Sequence, residues 1–261
     1  MNRVREISLN KVPEVTLAFW VIKVAATTMG ETAADAVSMT MHLGYAIGTA
    51  IFFSFFIVTV AAQVTAKSFH PFLYWAVIIA TTTVGTTMAD YADRSLGIGY
   101  VGGSLTLFTM LMLVLGIWRF TMGSVSVNNI TSPKVEMFYW TTILFSNTLG
   151  TALGDFLADD SGLGFGGGAL FFASALALVA TAYFYTRASH TLLFWMAFIL
   201  TRPLGATLGD LLTKPHAEGG FDLSRVSSSL IIAIFITACI LLIPQRAGSH
   251  PGQGETSASE Q

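Results

Sequence analysis

Charge is what this chain has least of. Charged side chains make up 11% of its 261 residues, against about 25% in an ordinary soluble domain, while hydrophobic residues reach 53% and the mean hydropathy is +0.67. That balance excludes a conventional water-facing globular surface. A net charge of -2, with no basic cluster interleaved with aromatics, excludes a nucleic-acid partner. The single cysteine, Cys239, excludes an intramolecular disulfide or a zinc ribbon. There is no G-x-S-x-G elbow, no H-E-x-x-H helix and no Walker loop, so hydrolase, metalloprotease and ATP-driven readings lack their defining residues. Gly97-Ile98-Gly99-Tyr100-Val101-Gly102 spells G-x-G-x-x-G, but without the βαβ context that a dinucleotide site requires, so no cofactor is expected. The first ten residues lack a signal-peptide core, so insertion would begin with the first apolar span.

What is there instead is length of apolar run. A hydrocarbon core needs about 20 mainly apolar residues per helix, and eight stretches qualify: 14–36, 43–65, 72–93, 99–120, 135–157, 165–187, 191–212 and 225–244. The expectation is an all-α integral membrane protein of eight transmembrane helices, a single domain over 1–243. From Pro244 the small, polar composition predicts a flexible tail, 244–261. Arg3, Arg5, Lys11, Lys67, Arg119, Lys134, Arg187 and Arg246 fall on one side, and only Arg94, Lys214 and Arg225 on the other. The positive-inside rule then puts both termini in the cytoplasm, with every aspartate toward the outer side. The sequon Asn129-Ile130-Thr131 falls on the cytoplasmic side and carries no weight.

One unit is written four times. Trp20, Trp75, Trp140 and Trp195 are each followed ten residues later by Gly30, Gly85, Gly150 and Gly205, and fifteen residues later by Asp35, Asp90, Asp155 and Asp210. The tryptophans stand 55, 65 and 55 residues apart, giving repeats of about 12–66, 67–120, 132–187 and 188–243 in two similar halves. Two spans per repeat give every hairpin the same orientation, so the repeats are parallel, related by an axis along the membrane normal. The even spans open with glycines, read as tight packing of each even helix on its odd partner. Trp75, Trp140 and Trp195 fit an interfacial aromatic belt.

Intramembrane carboxylates are functional candidates by default. One near a helix C-terminus opposes the helix dipole. Either the four aspartates handle a cation or proton, or each caps a short following turn. Before each aspartate the helix is small and hydroxylated, with Thr27, Thr82 and Asn147 at one repeat position that Arg202 fills in the fourth unit. At 1.5 Å per residue Arg202 lies about 6 Å below Glu31, within reach of it, and a Glu31–Arg202 pair would close the bundle. Pro203 would break its helix and free carbonyls for a cation. Lys23 either joins this interior or snorkels to an interface.

The W-x9-G-x4-D unit, with its variants TTMAD, TALGD and ATLGD, resembles the bacterial multi-pass membrane proteins built from the domain-of-unknown-function 347 repeat, over residues 12–243. Repeat one departs with ETAAD at 31–35. The resemblance implies a bacterial inner-membrane protein and supplies no reaction. The residues themselves point to a non-enzymatic secondary transporter or channel-like carrier for a small cation, either a divalent metal or a proton-coupled substrate. Asp35, Asp90, Asp155 and Asp210 would form its site, Glu31 and Arg202 would pair beside it, and Thr27, Thr82 and Asn147 would line the approach. Hard oxygen ligands favour magnesium, calcium or manganese. A non-transporting scaffold or partner subunit is the alternative, with an intramembrane lipid or quinone enzyme a third reading that lacks a nucleophile. The lipid bilayer is the one partner the composition requires, and homo-oligomers are compatible with it.

Overall fold

The computed structural model describes residues 11–123, 125 and 132–248. Arg3, Arg5, the Asn129–Thr131 sequon and the tail from residue 249 lie outside the described residues. Eight helices follow in order: α1 (Leu17–Asp35), α2 (Gly44–Thr65), α3 (Pro71–Asp90), α4 (Gly99–Met122), α5 (Pro133–Asp155), α6 (Gly164–Tyr185), α7 (His190–Thr213) and α8 (Arg225–Leu242). Local chemistry sets their starts. Thr16, Ser132, Ser189 and Ser224 each accept a backbone N–H of the first turn, and Pro71 and Pro133 supply the preset φ of a first helical residue.

The odd helices α1, α3, α5 and α7 pack side by side into a closed four-membered ring, α7 returning to α1. The even helices stand outside it. In α3 72% of the apolar span is buried, in α8 only 17%. Each even helix packs on the odd helix of the following repeat: α2 on α3, α4 on α5, α6 on α7, and α8 back on α1. This corrects the expectation that each would pack on its own odd partner. The reason lies in the turn. Gly44, Gly99 and Gly164, the first residues of α2, α4 and α6, have φ of +75°, +73° and +66°, a left-handed backbone that redirects the chain sideways. Packing falls to glycines one turn later, where Gly48 meets Ser38, Gly103 meets Asp93 and Gly168 meets Thr207.

Among the described residues six helices are long and apolar enough to cross a membrane: α2, α3 with its following turn, α4, α6, α7 and α8. Helices α1 and α5 fall outside that set because their inner faces carry Lys23, Glu31 and Asp35, and Glu136, Asn147 and Asp155. Outward, large apolar side chains such as Val58, Val101, Leu105, Leu178, Ile231 and Ile234 are exposed, far more than a water-soluble protein tolerates as a continuous shell.

Two of the three repeat residues are explained by ring closure. The residue before each tryptophan is aromatic, and it meets the tryptophan of the next repeat: Phe19 with Trp75, Tyr74 with Trp140, Tyr139 with Trp195, and Phe194 with Trp20, at centroid distances of 5.5, 5.9, 6.3 and 5.7 Å. Trp75 and Trp140 are therefore core residues, not members of an interfacial belt. The glycines work the same way one level up. A Cβ at Gly30 would strike Thr82, one at Gly85 would press on Asn147 and Thr148, one at Gly150 on Arg202 and Pro203, and one at Gly205 on Thr27. Each repeat's glycine thus receives the next repeat's polar residue, the last receiving the first.

Near the aromatic end the chain closes on itself. Pro13 pairs with Ala247, Glu14 N–H donates to Arg246 C=O (2.9 Å) and Gly248 N–H to Val12 C=O (3.1 Å), so the expected free tail from 244 is tied down as far as Gly248. Lys11 donates to the last carbonyls of α2 and pairs with Glu136 at 3.0 Å. Pro203 sits inside an unbroken α7, against the expectation of a break; its ring packs toward Gly150, where there is no side chain to oppose it.

Candidate carboxylate site

Asp35, Asp90 and Asp155 are the last residues of α1, α3 and α5, and Asp210 lies in the last turn of α7. In the first three repeats a π-helical turn follows, at Ala36–Thr40, Tyr91–Ser95 and Phe156–Asp160. Asp35, Asp90 and Asp155 make no side-chain capping bond to those turns, which removes the capping explanation. All four repeat aspartates are instead buried, at 2–3% exposure, and face one another around the ring.

Two of the four seams between neighbouring aspartates are bridged by a cation, and two are not. Arg94 joins Asp90 (3.0 Å) to Asp155 (3.6 Å) and reaches Asp159 at 3.9 Å. Lys214 joins Asp210 (3.2 Å) to Asp35 (3.1 Å), and Arg225 adds a contact to Asp35 at 3.4 Å. Lys214 lies just beyond α7; burial works against its charge, but Asp210 and Asp35 outweigh burial and hold it above the ordinary lysine range. The unbridged seams both look toward Glu31. Its carboxylate lies within 4.8 Å of those of Asp35 and Asp90, and likewise of Asp155 and Asp210.

Glu31 belongs to the position directly after the repeat glycine, where the other repeats carry Thr86, Thr151 and Ala206. Ala206 leaves room, and Arg202 of the same helix fills it from one turn below. Arg202 Nη2 donates to Glu31 Oε2 at 3.1 Å and to the hydroxyls of Thr86 and Thr151 at 2.5 Å, while Thr86 also donates to Glu31. The expected Glu31–Arg202 pair is present, fully buried, and draws in all four odd helices. Nε and Nη1 of Arg202 have no hydrogen-bond partner.

Thr27, Thr82 and Asn147 are not at the carboxylates. They lie about 12 Å lower, eight residues down the helix, and bond across the odd-helix seams: Thr27 Oγ1 to Thr201 C=O (3.1 Å), Thr82 Oγ1 to Ala26 C=O (3.3 Å), and Asn147 Nδ2 to Thr81 Oγ1 (3.0 Å). Lys23 does not snorkel. It is completely buried, with Nζ 4.1 Å from the Phe198 ring centroid.

Sequence reasoning placed Arg94, Lys214 and Arg225 on the aspartate side without assigning them to the site, and it missed Thr86 and Thr151. A signal was available. Arg94 and Lys214 each stand four residues after a repeat aspartate, the helical distance for an ion pair, where repeats one and three carry Met39 and Asp159.

Five buried carboxylates, Glu31 and the four aspartates, face four cations within ion-pair distance, Arg94, Lys214, Arg225 and Arg202. The five carboxylates exceed the four cations by one formal charge, and Arg94 is shared with a sixth carboxylate, Asp159. Asp159, 37% exposed, stands at the mouth, where Tyr100 donates to it at 2.9 Å.

Comparison with protein families matches the Repeat of Unknown Function (DUF347) four times, over residues 18–69, 73–124, 138–189 and 193–246. The matches start 55, 65 and 55 residues apart, the spacing of the tryptophans. Comparison with curated proteins returned no match, and comparison with solved structures returned none.

Proposed function

Because the chain belongs to the DUF347 repeat family, whose description assigns no activity, we propose from its own residues that it is a secondary carrier for a cation. On this reading all eight helices cross a bacterial inner membrane as four like-oriented hairpins, with both termini cytoplasmic. The exposed apolar shell of the even helices supports the insertion, and the polar faces of α1 and α5 are turned inward where lipid cannot reach them. The observation that carries the carrier reading is the pair of unbridged seams: four buried aspartates around Glu31, one positive charge short of balance. Packing alone does not account for them. A buried, incompletely compensated carboxylate is costly in a low-dielectric interior, and a passing cation relieves that cost.

The axis is filled at two levels on the aromatic side of the carboxylates. Arg202 fills the ring above the glycine level, and the aromatic ring of Phe19, Tyr74, Tyr139 and Phe194 fills it near the other end. That supports a carrier, which exposes its site to one side at a time, over an open channel.

The test is flux in proteoliposomes over a panel of monovalent and divalent cations, comparing the native chain with Asp155→Asn plus Asp210→Asn. Arg94 keeps Asp90 and Lys214 keeps Asp35 in that variant, so each cation retains one ion pair while one unbridged seam is removed. The expected result is at least a tenfold loss of monovalent flux at equal reconstituted amounts. Absence of native flux for every cation, with reduced accumulation of the variant, would favour the scaffold reading, which the dense pairing of the aspartates with Arg94 and Lys214 also accommodates.

A further inference from the structure

Lys23 is a fully buried charged group on the inner face of α1 that the carboxylate site does not use. It occupies the position seven residues before the repeat glycine, where the other repeats have Ile78, Ile143 and Phe198, all 0–1% exposed. Among the described residues its ammonium has no hydrogen-bond acceptor, and it lies over the Phe198 face. Arg202, of the same sign, is the charged side chain that bears on it. Around it, α7 presents Phe198 and Arg202; at the same repeat position α3 carries Ile78 with Tyr74 a turn below, and α5 carries Ile143 with Tyr139 a turn below. Helix α8 meets α1 with Ser229 bonded to Thr32, and its charged residue, Arg225, is at the carboxylate end. On α1 itself the nearest carboxylate is Glu31, eight residues and about 12 Å up the axis.

Two uncompensated charges therefore stand on one axis: a positive one at Lys23 and one negative charge in excess at the carboxylates. Polar side chains fill the interval. Thr81, Ser146 and Thr201 lie three residues above the Lys23 level, followed by Asn147, and Ser146 Oγ and Asn147 Oδ1 are buried without a partner. We infer that one proton is shared along this axis between Lys23 and the carboxylate cluster, and that the proton is the coupling ion of the carrier; the second half rests on the carrier reading. In the transfer an N–H bond of the ammonium breaks, its electron pair stays on Nζ, and an O–H bond forms on a carboxylate of the cluster. Amine and carboxylic acid are then both neutral, and neither buried charge is left uncompensated. A cation entering an unbridged seam displaces that proton, which returns toward Lys23 and the aromatic end, so cation and proton move in opposite directions.

Infrared spectroscopy of the carboxylic-acid C=O stretch tests the shared proton without any transport. The native chain is expected to show the band. Lys23→Arg, whose charge is permanent, is expected to lose it, because the fixed cation balances the ionised cluster. Lys23→Met is expected to keep it, the cluster drawing its proton from solvent, and Asp155→Asn plus Asp210→Asn assigns it. No band in the native chain, or a band of equal size in native and Lys23→Arg, overturns the proposal. Should Lys23→Arg fail to fold, near-isosteric Lys23→Met decides the coupling in proteoliposomes. Accumulation of sodium driven by a pH gradient is expected to fall at least tenfold, while sodium self-exchange, which needs no proton, continues. Retained gradient-driven accumulation overturns the coupling. A native chain without self-exchange defeats the carrier reading and leaves the infrared comparison to decide Lys23.

Discussion

Replacing Arg202 with methionine is expected to cost about 3–5 kcal/mol of folding stability, because it leaves the buried Glu31 carboxylate without its cation among four aspartates. Glu31→Gln should be nearly as costly, since Arg202 would keep only the hydroxyls of Thr86 and Thr151. The double replacement is expected to recover at least about 2 kcal/mol of the summed penalties, a coupling appropriate to groups in direct contact. Denaturant unfolding in detergent, over the four chains of the cycle, measures it. Additive penalties would mean that the pair contributes nothing and that Arg202 is held by the two threonines alone. The size of the expected effect follows from position. This is the contact by which the last repeat reaches into the first, second and third, so its loss opens the ring at its closing seam and also removes the side chain that fills the axis.

The pair was legible in the sequence because both residues break a fourfold pattern, and a helix rise of 1.5 Å per residue converts their offset into a distance. The helices themselves were legible from apolar runs long enough for a span. What remained hidden was which helix meets which. Hydropathy identifies a span but not its neighbour, and the left-handed glycines Gly44, Gly99 and Gly164 that swing each even helix onto the next repeat were mistaken for packing residues. Trp75 and Trp140 were assigned to an interface because an aromatic near a helix end has two homes, and only the partner ring in the adjacent repeat distinguishes them. Lys23 has two readings in the sequence because an amine on an apolar helix reaches an interface only if its face of the helix turns outward, and here it turns inward, toward Phe198.

The repeat glycines are expected to separate into a graded series under alanine substitution, with the steepest loss at the closing seam. Intrinsic propensity favours alanine over glycine in a helix by about 1 kcal/mol, so any loss of stability must come from contact. At Gly85 the added methyl would meet Thr148 N at 3.1 Å, Asn147 C at 3.2 Å and Asn147 Cβ at 3.4 Å, a squeeze that a small shift relieves. At Gly205 it would meet the hydroxyl of Thr27, its Cβ at 2.5 Å and its carbonyl carbon at 2.8 Å. Backbone cannot rotate out of the way, and α1 and α7 must separate. Gly205→Ala and Gly30→Ala are therefore expected to destabilise by about 1–3 kcal/mol, Gly85→Ala to be close to neutral, and Gly150→Ala to fall between, since it presses on the Arg202 stem at 2.6 Å. Thermal unfolding of the four single variants in one detergent gives the order. Adding Thr27→Gly to Gly205→Ala should restore part of the loss by removing the side-chain half of the collision, with the backbone half remaining. Four equal losses would show that the glycines serve the flexing of their own helices, and the reciprocal fit of each glycine to the next repeat would then have no energetic weight.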